Sequence, residues 1–298
     1  MEISRENSPH RSMHNLLIDA SSLISMPEVC FRLREVIAKA SHSRGEIVDI
    51  IVHDPALTTR LLRIVNSAYY GLGQPVRDIS HALSILGEQE LNNLVIVTSI
   101  VKSMNSMKPK RAHMDIHCYW RSSIFSAVLA SNLAKHCNYA EEIIEEFFIS
   151  GLLLNIGKLL IYYSEPQLLE FVEKEMLDSG RPDFEIEKEQ LGFDHADVGA
   201  AMAKSWNFSE HLTQSISGHH QSFSSENSKT QNIFALTGYV SDQLDFHYPR
   251  QVSLNDLDFG EDGLMDRLML NDGKFCVIMN SSYEGYLLAF EAYCGAQI

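Results

Sequence analysis

The sequence lacks several patterns that identify whole classes of protein. No apolar run reaches the roughly 18 residues needed to cross a bilayer, and the opening residues 1–15 are polar, without the apolar centre of a secretory signal. The five cysteines lie far apart and form no CxxC pair, which argues against a zinc ribbon or a disulfide framework and favours reduced thiols. We therefore expect a cytoplasmic protein with no membrane contact.

Positive charge is also scarce. The chain has 24 lysines and arginines against 39 aspartates and glutamates, for a formal net charge of −15. A nucleic-acid-binding protein needs a basic face to neutralise phosphates, and the one cationic cluster, Lys108–Arg111, is more typical of a solvated linker. We expect no direct nucleic-acid binding. The sequence also has no GxSxG elbow, and the loop Gly71–Val76 lacks the Lys-Ser/Thr pair of a phosphate-binding loop.

The sequence does contain helical periodicity over almost its whole length. Its 298 residues are 45% apolar, which is enough for a sizeable core. Ser43 and Glu46 form a capping-box pattern, and Ile47, Ile50 and Ile51 follow as one apolar stripe. Five such helices fit before residue 108, and helices resume near residue 116. The pattern predicts an all-α protein.

The helical pattern is interrupted once, around Pro109 and its charged neighbours, which indicates a linker between two lobes. We expect the acidic stretch Phe184–Gly192 to be exposed, and Gly273–Cys294 to form either one helix or a short strand followed by a helix. The predicted divisions are a flexible leader at 1–20, a first helical lobe at 21–107, a linker at 108–115, a second helical lobe at 116–248 and a C-terminal extension at 249–298.

The second lobe contains four residues of metal-ligand type on or beside predicted helices: His195, His219, His220 and Asp242. Neighbouring positions on a helix point about 100° apart. From a regular helix, His219 and His220 therefore cannot both face one ion. Spacing alone favours two surface histidines and one hydrogen-bonded core histidine over a metal site.

Several motifs carry a family resemblance. The longest, from His53 to Ile96, combines a DPAL turn, a helix ending in NSAYYG and a following helix pair. Matches in the second lobe are YWRSS at 119–123, GLLLNIGKL at 151–159, DHADVGAAMAKSWNF at 194–208 and ISGHH at 216–220. Over about residues 22 to 245 the chain resembles the HDOD family, the HD-related output domains of bacterial signalling.

HDOD domains are similar to HD and HD-GYP phosphohydrolases, so the resemblance implies an HD-domain-like second lobe. In those enzymes the metal ligands come as an early His, a His-Asp pair, a later His, a His-His pair and a final Asp. Carried over one position at a time, the resemblance implies a vestigial pocket at Arg121, Leu154, Asn155, His195, His219, His220 and Asp242.

Three of these positions depart from the catalytic pattern. Leu154 has no lone pair for a metal, and Asn155 is neutral where the enzymes have a carboxylate that bridges two metals. Arg121 places a permanent cation where a neutral ligand is needed, and a cation repels a divalent metal. Hydrolysis in this fold needs metal-bound water of lowered pKa. We therefore expect no catalytic residues and no cofactor.

Two other uses of the pocket stay open. His195, one of His219 and His220, and Asp242 could hold a single divalent metal as a two-His-one-carboxylate site. Arg121 could instead turn the pocket into a site for a nucleotide or another anion.

The NSAYYG segment has two interpretations. Its residues could form an interaction surface for a partner or for the second lobe. The favoured alternative is that they maintain the fold, with the polar side chains bonding the next loop, the tyrosines packing and the glycine capping. The residues concerned are Asn66, Ser67, Tyr69, Tyr70 and Gly71.

The resemblance implies a non-catalytic output or scaffold module that acts by contact with other signalling proteins. The runner-up is a metal-dependent phosphohydrolase or phosphodiesterase with a degenerate site. A third hypothesis is a nucleotide- or anion-sensing module that uses the vestigial pocket. The pathway, the partner and the oligomeric state are left open by the sequence.

Overall fold

The computed structural model describes residues 13–17, 28–39, 41–105, 115–221, 227–244 and 267–294. Within these ranges every regular element is a helix, and no strand occurs. The predicted all-α class is therefore confirmed. None of the helices in these ranges combines the length and the apolar character required to span a membrane.

Between residues 28 and 105 the described part of the first lobe forms five helices, as the periodicity predicts. The predicted capping box is present, since the Ser43 side chain accepts from the Glu46 backbone and the Glu46 side chain accepts from the Ser43 backbone. Asp54 caps the next helix, which opens with Pro55. The helices are α1 (Glu28–Ile37), α2 (Arg44–Val52), α3 (Pro55–Val65), α4 (Ile79–Leu86) and α5 (Glu88–Asn105).

The second lobe is built around two long apolar helices that pack against each other. Shorter helices surround them and supply the residues of the candidate site. In order, the helices are α6 (Ile116–His136), α7 (Glu141–Leu153), α8 (Ile156–Ser164), α9 (Pro166–Ser179), α10 (Asp183–Leu191), α11 (His195–Ser205), α12 (Glu210–Ser217) and α13 (Lys229–Gln243).

In the described part of the C-terminal extension, Asp272–Cys294 forms one continuous helix, α14, so the alternative of a strand followed by a helix at Gly273–Cys294 is wrong. Helix α14 packs along α6 and also touches α3 of the first lobe. Its Phe275 and Phe290 are buried in the common core. The described part of the extension, residues 267–294, is therefore packed against both lobes.

Other predicted divisions fall partly on residues that the structure leaves undescribed. Of the leader at 1–20, residues 13–17 are described, and they are helical and bury Leu16. Of the linker at 108–115, the described part is Asp115, which caps α6 through the backbone N–H groups of His117 and Cys118. The rest of both segments lies outside the described residues.

The two lobes contact each other directly. The Arg34 guanidinium of α1 lies 4.6 Å above the Phe208 ring and donates a hydrogen bond to the Trp206 carbonyl. On another part of the interface, the Tyr69 ring lies 5.8 Å from the Phe148 ring of α7. A guanidinium stacked on an aromatic ring and aromatic rings in contact are both favourable packings.

Candidate functional site

The candidate site is centred on His195, the first residue of α11. Asp194 caps this helix in a capping box with Asp197, which fixes His195 at the buried helix start. The backbone N–H of His195 donates to Glu187 Oε2 at 2.8 Å, and His195 Nδ1 donates to the same oxygen at 2.7 Å. The ring therefore directs Nε2 away from Glu187, towards the other histidines.

Glu187 of α10 is a site residue that the sequence interpretation missed. The stretch Phe184–Gly192 was expected to be exposed, but Glu187 is fully buried and also accepts a hydrogen bond from the Tyr162 hydroxyl at 2.5 Å. The expectation failed because it treated the whole stretch as one charged surface, whereas only one face of the helix is exposed. Glu187 lies three residues after Phe184 and four before Leu191, which are both partly buried.

His219 and His220 lie together in the pocket, contrary to the expectation from helix geometry. Helix α12 ends at Ser217, so both residues belong to the following turn and their rings are 3.8 Å apart. His220 Nε2 is 2.7 Å from His195 Nε2. The prediction of diverging side chains was wrong because it assumed that the helix continued.

The protonation of these rings follows from their burial. Burial lowers the pKa of His219 to about 3, with a further contribution from His195, and burial followed by His219 lowers the pKa of His220. Burial also acts against a charge on His195, but the Glu187 carboxylate outweighs it and raises the pKa of His195. At neutral pH, His219 and His220 are therefore uncharged.

A partly exposed ion-pair network lies beside the histidines. Lys158 Nζ is 2.7 Å from Asp183 Oδ2 and 3.3 Å from Asp242 Oδ1. Burial opposes the charge of Lys158, but the two carboxylates outweigh it and raise the pKa of Lys158. Burial raises the pKa of Asp183, but Lys158 outweighs that effect and lowers it to about 2. The sequence interpretation missed Lys158 and Asp183.

Asp242 links this network to the histidines. Its Oδ2 lies 3.9 Å from Nδ1 of His220, on the side of the ring away from His195. The Phe184 ring stacks on His220 with centroids 4.1 Å apart. His220 also reaches an open groove of about 560 Å³, whose rim includes Arg181 and Lys188.

The other three predicted pocket residues are Leu154, Asn155 and Arg121. Leu154 and Asn155 are buried between α7 and α8, and the Oδ1 atom of Asn155 has no hydrogen-bond partner. The Arg121 guanidinium lies 5.7 Å from the centre of the Phe290 ring of α14. The structure thus brings together His195, His219, His220 and Asp242, whereas the Arg121 guanidinium faces α14.

The HD-like fold implies a bound metal ion, and the side chains of this pocket show whether they suit one. Ring nitrogens of His195, His219 and His220 lie within 4.8 Å of one another. The Nδ1 atom of His219 lies 2.6 Å from the Ile216 carbonyl, and its Nε2 atom is buried without a hydrogen-bond partner. Neutral imidazoles held by a second acceptor are suitable metal ligands. The three histidines are therefore of the right type for one ion, which would have to replace the hydrogen bond between Nε2 of His220 and Nε2 of His195.

A second ion fits poorly. Asp183, Glu187 and His195 also cluster within 4.8 Å, but Glu187 already accepts three hydrogen bonds and Asp183 is paired with Lys158. A divalent ion here would have to displace a bound ammonium and break buried hydrogen bonds. The donor set of this pocket does not fit a two-metal centre.

The NSAYYG residues mostly contact their own surroundings. The Asn66 side chain donates to the Val76 carbonyl at 2.9 Å and accepts from the Val76 N–H at 2.7 Å, which closes the loop. Tyr69 and Tyr70 pack edge to face with ring centres 5.4 Å apart, and Gly71 has φ +58°. Ser67 Oγ is buried without a hydrogen-bond partner. These contacts are those of a fold-maintaining segment, and Tyr69 also reaches the second lobe.

Comparison with known proteins identifies relatives of this chain. The sequence pattern of the HDOD domain matches residues 23–222. An uncharacterized protein of Treponema pallidum (strain Nichols) is 27% identical over 195 residues, which are 65% of this chain and 37% of that protein. The chain therefore spans little more than a third of the length of this relative.

Solved structures share the fold. A candidate phosphohydrolase from Shewanella amazonensis SB2B has a TM-score of 0.70 at 26% identity, covering 96% of this chain and 100% of that one. An HDOD domain protein of unknown function from Geobacter sulfurreducens has a TM-score of 0.71 at 19% identity, covering 96% and 99%. A candidate signal transduction protein from Marinobacter aquaeolei VT8 has a TM-score of 0.68 at 19% identity, covering 98% and 68%. The predicted helical HD-like architecture is confirmed.

Proposed function

The chain belongs to the HDOD domain family, and we propose that it is a non-catalytic output or scaffold module that acts by contact with other signalling proteins. The domain is related to phosphohydrolases. Its histidine pocket differs from the metal-ligand pattern of the HD enzymes at Arg121, Leu154 and Asn155.

One observation carries the proposal. The ammonium of Lys158 lies between the carboxylates of Asp183 and Asp242 and is largely shielded from water, with 16% of its side chain exposed. A lysine in this position neutralises the carboxylates that would otherwise attract a divalent ion. Its ion pairs with the two carboxylates hold it there.

The neighbouring positions support the same conclusion. Where the resemblance to HD enzymes implies a His-Asp pair, this chain has Leu154 and Asn155, both buried. Neither supplies the negative charge that bridges two metals. Metal-assisted hydrolysis needs a metal ion to lower the pKa of a water molecule, so a pocket that repels a second ion and lacks the bridging carboxylate does not support hydrolysis.

Turnover can be measured directly. We expect the purified protein, supplied with manganese or iron, to cleave bis(4-nitrophenyl) phosphate no faster than its His195→Ala variant. Turnover in the wild type that disappears in His195→Ala would contradict the proposal and establish an enzyme.

The role of Lys158 has its own test. If the ammonium excludes divalent ions, Lys158→Ala should bind Mn²⁺ roughly tenfold more tightly than the wild type, because the carboxylates lose their bound cation. The matched control is Lys188→Ala, which removes an exposed lysine from the groove rim. Equal Mn²⁺ affinity in the wild type and Lys158→Ala would show that another feature determines metal binding.

A second candidate function is a mononuclear metal protein, related to the phosphohydrolases. The observation that favours it is the convergence of His195, His219 and His220, with the Nε2 atom of His219 left without a partner. The 26% identity to the Shewanella amazonensis candidate phosphohydrolase supports the same relationship. A bound ion would supply Lewis acidity at the pocket.

Metal content distinguishes the two candidates. The protein is purified without chelator or added metal and measured by inductively coupled plasma mass spectrometry, beside the His219→Ala/His220→Ala variant. Under the scaffold proposal neither protein carries stoichiometric metal. Near-stoichiometric iron, manganese or zinc in the wild type that falls in the variant would favour the metal protein.

A further inference from the structure

A groove outside the histidine pocket concentrates positive charge. It has a volume of about 360 Å³ and lies between α3 and α5 of the first lobe and the end of α14. Arg60, Arg63 and Lys102 line it together with Thr98, and none of its lining residues in the described part of the chain is a carboxylate. In a chain of net charge −15, three cations around one groove form a local field of opposite sign.

The existing contacts of Arg60 and Lys102 leave most of their positive charge without a nearby carboxylate to neutralise it. Arg60 Nε donates to the Ala56 carbonyl at 3.2 Å, which fixes one edge of its guanidinium. Lys102 Nζ lies 4.0 Å from an Asp54 oxygen, at the outer limit of an ion pair, and both side chains are about half exposed. An exposed pair at that distance contributes little.

Thr98 supplies an independent observation. Its side chain lines the groove, the residue is only 4% exposed, and its hydroxyl has no hydrogen-bond partner. A buried hydroxyl without a partner is costly, and such groups are uncommon in folded proteins. An anion in the groove would supply an acceptor for this hydroxyl.

We propose that this groove binds a small anion that carries a phosphate group, either free phosphate or a mononucleotide. Guanidinium groups bind phosphate through paired, charge-assisted hydrogen bonds, lysine adds a point charge, and a hydroxyl donates one more hydrogen bond. The site differs from the anion site considered at Arg121. It also differs from the histidine pocket, where the charge of Lys158 is already neutralised by Asp183 and Asp242.

Binding here would connect the C-terminal helix to the first lobe. Tyr293 and Cys294 of α14 also line the groove, and the Tyr293 hydroxyl interacts with Tyr70 of the NSAYYG segment. An anion held between these elements stabilises their contact by mass action. The proposal goes beyond the proposed function and does not depend on its outcome.

The test is isothermal titration calorimetry of the full chain at low salt with inorganic phosphate, pyrophosphate and GMP, and with guanosine as the phosphate-free control. We expect phosphate or GMP to bind and guanosine not to. Preference for GMP over phosphate would identify a nucleotide, and equal binding would identify the phosphate group alone. No binding of any phosphate compound up to about 10 mM, where millimolar affinities are visible, would overturn the proposal.

Matched variants locate the site. Arg63→Glu should weaken binding roughly tenfold or more, since it removes a charge-assisted hydrogen bond and adds repulsion. Arg32→Glu makes the same charge change on the exposed face of α1 and should leave binding unchanged. An equal loss in both variants would show that only net charge matters and would refute a built site.

The hydroxyl is tested separately. Thr98→Val keeps the shape of the side chain and should weaken binding by roughly threefold to tenfold, because one hydrogen bond to the anion is lost. Thr213→Val is the control, since its hydroxyl bonds the Ser209 carbonyl in the second lobe. Circular dichroism melting of each variant confirms that it is folded, and unchanged affinity in Thr98→Val would remove the hydroxyl from the site.

Discussion

Glu187 accepts hydrogen bonds from the Tyr162 hydroxyl and from both the backbone and the ring of His195. Glu187→Ala leaves these donors buried without an acceptor, so we expect it to lower the free energy of unfolding by about 3 kcal/mol or more. Urea denaturation measures the change. Glu187→Gln, which keeps an acceptor oxygen, should cost less.

The control for this prediction lies on the same helix. Glu189 is exposed over 54% of its side chain and pairs with Arg181 on the surface. Glu189→Ala should therefore change the free energy of unfolding by no more than about 0.5 kcal/mol. A similar cost for both alanine variants would mean that Glu187 contributes only helix propensity.

Glu90 provides a pH-dependent prediction at the interface between the lobes. Burial, and then repulsion from Glu145 of α7, raises the pKa of Glu90 from 4.5 to about 7. The folded state therefore binds a proton more tightly than the unfolded state, so this group lowers stability as pH rises from about 4.5 to 7. Above that window its penalty is constant.

Glu90→Gln removes this titration. The variant should melt at a higher temperature than the wild type at pH 8, where wild-type Glu90 is charged, and at nearly the same temperature at pH 4.5. Thermal melts by circular dichroism across this range give the comparison. A constant difference between the two proteins at every pH would show that charge on Glu90 is not the cause.

At the scale of elements, α8 and α11 approach so closely that only glycine fits between them. A Cβ atom added at Gly157 would clash with the His195 carbonyl at the start of α11. We expect Gly157→Ala to lower the free energy of unfolding by about 1–3 kcal/mol, because one helix must move. Equilibrium urea denaturation is the measurement.

Gly45 is the matched control, because it also lies in a helix. A Cβ atom there would meet only the Ser43 hydroxyl at 3.7 Å, an ordinary contact. Gly45→Ala should be neutral or stabilise by up to about 1 kcal/mol through helix propensity. If Gly157→Ala behaved in the same way, the packing of α8 against α11 would be looser than the structure indicates.

At the scale of the whole molecule, α14 joins both lobes although it lies beyond the residues that match the HDOD pattern, 23–222. Phe290 of α14 is 1% exposed, and Val277 of the same helix is 66% exposed. Phe290→Ala should lower the free energy of unfolding by about 3–5 kcal/mol. Val277→Ala should change it by no more than about 0.5 kcal/mol.

Thermal and urea unfolding of these two variants test whether α14 is part of one cooperative unit. A single transition that moves to lower temperature in Phe290→Ala is expected. A separate early transition, with the main one unchanged, would mean that α14 unfolds independently of the lobes.

Local signals in the sequence determined much of the fold. The capping box at Ser43 and Glu46, the apolar stripes and the interruption at Pro109 predicted helices, two lobes and the all-α class. These signals are readable because a helix is specified by residues within four positions of one another. The family motifs placed His195, His219 and His220 in the second lobe for the same reason, since each motif is contiguous, whereas Asp242 lies outside the motifs and was assigned by the order of the ligands in the related enzymes.

The tertiary structure alone decided how the pocket is used. Lys158 and Asp242 are 84 residues apart in sequence, and Tyr162 and Glu187 are 25 apart, yet each pair is in contact. His219 and His220 both point into the pocket because α12 ends at Ser217. Arg121 contacts Phe290 because α14 packs against α6. Such contacts arise from the packing of helices that are distant in sequence, and the local spacing of residues does not reveal them. The burial and the charged neighbours that result then determine which ionisable side chains carry a charge.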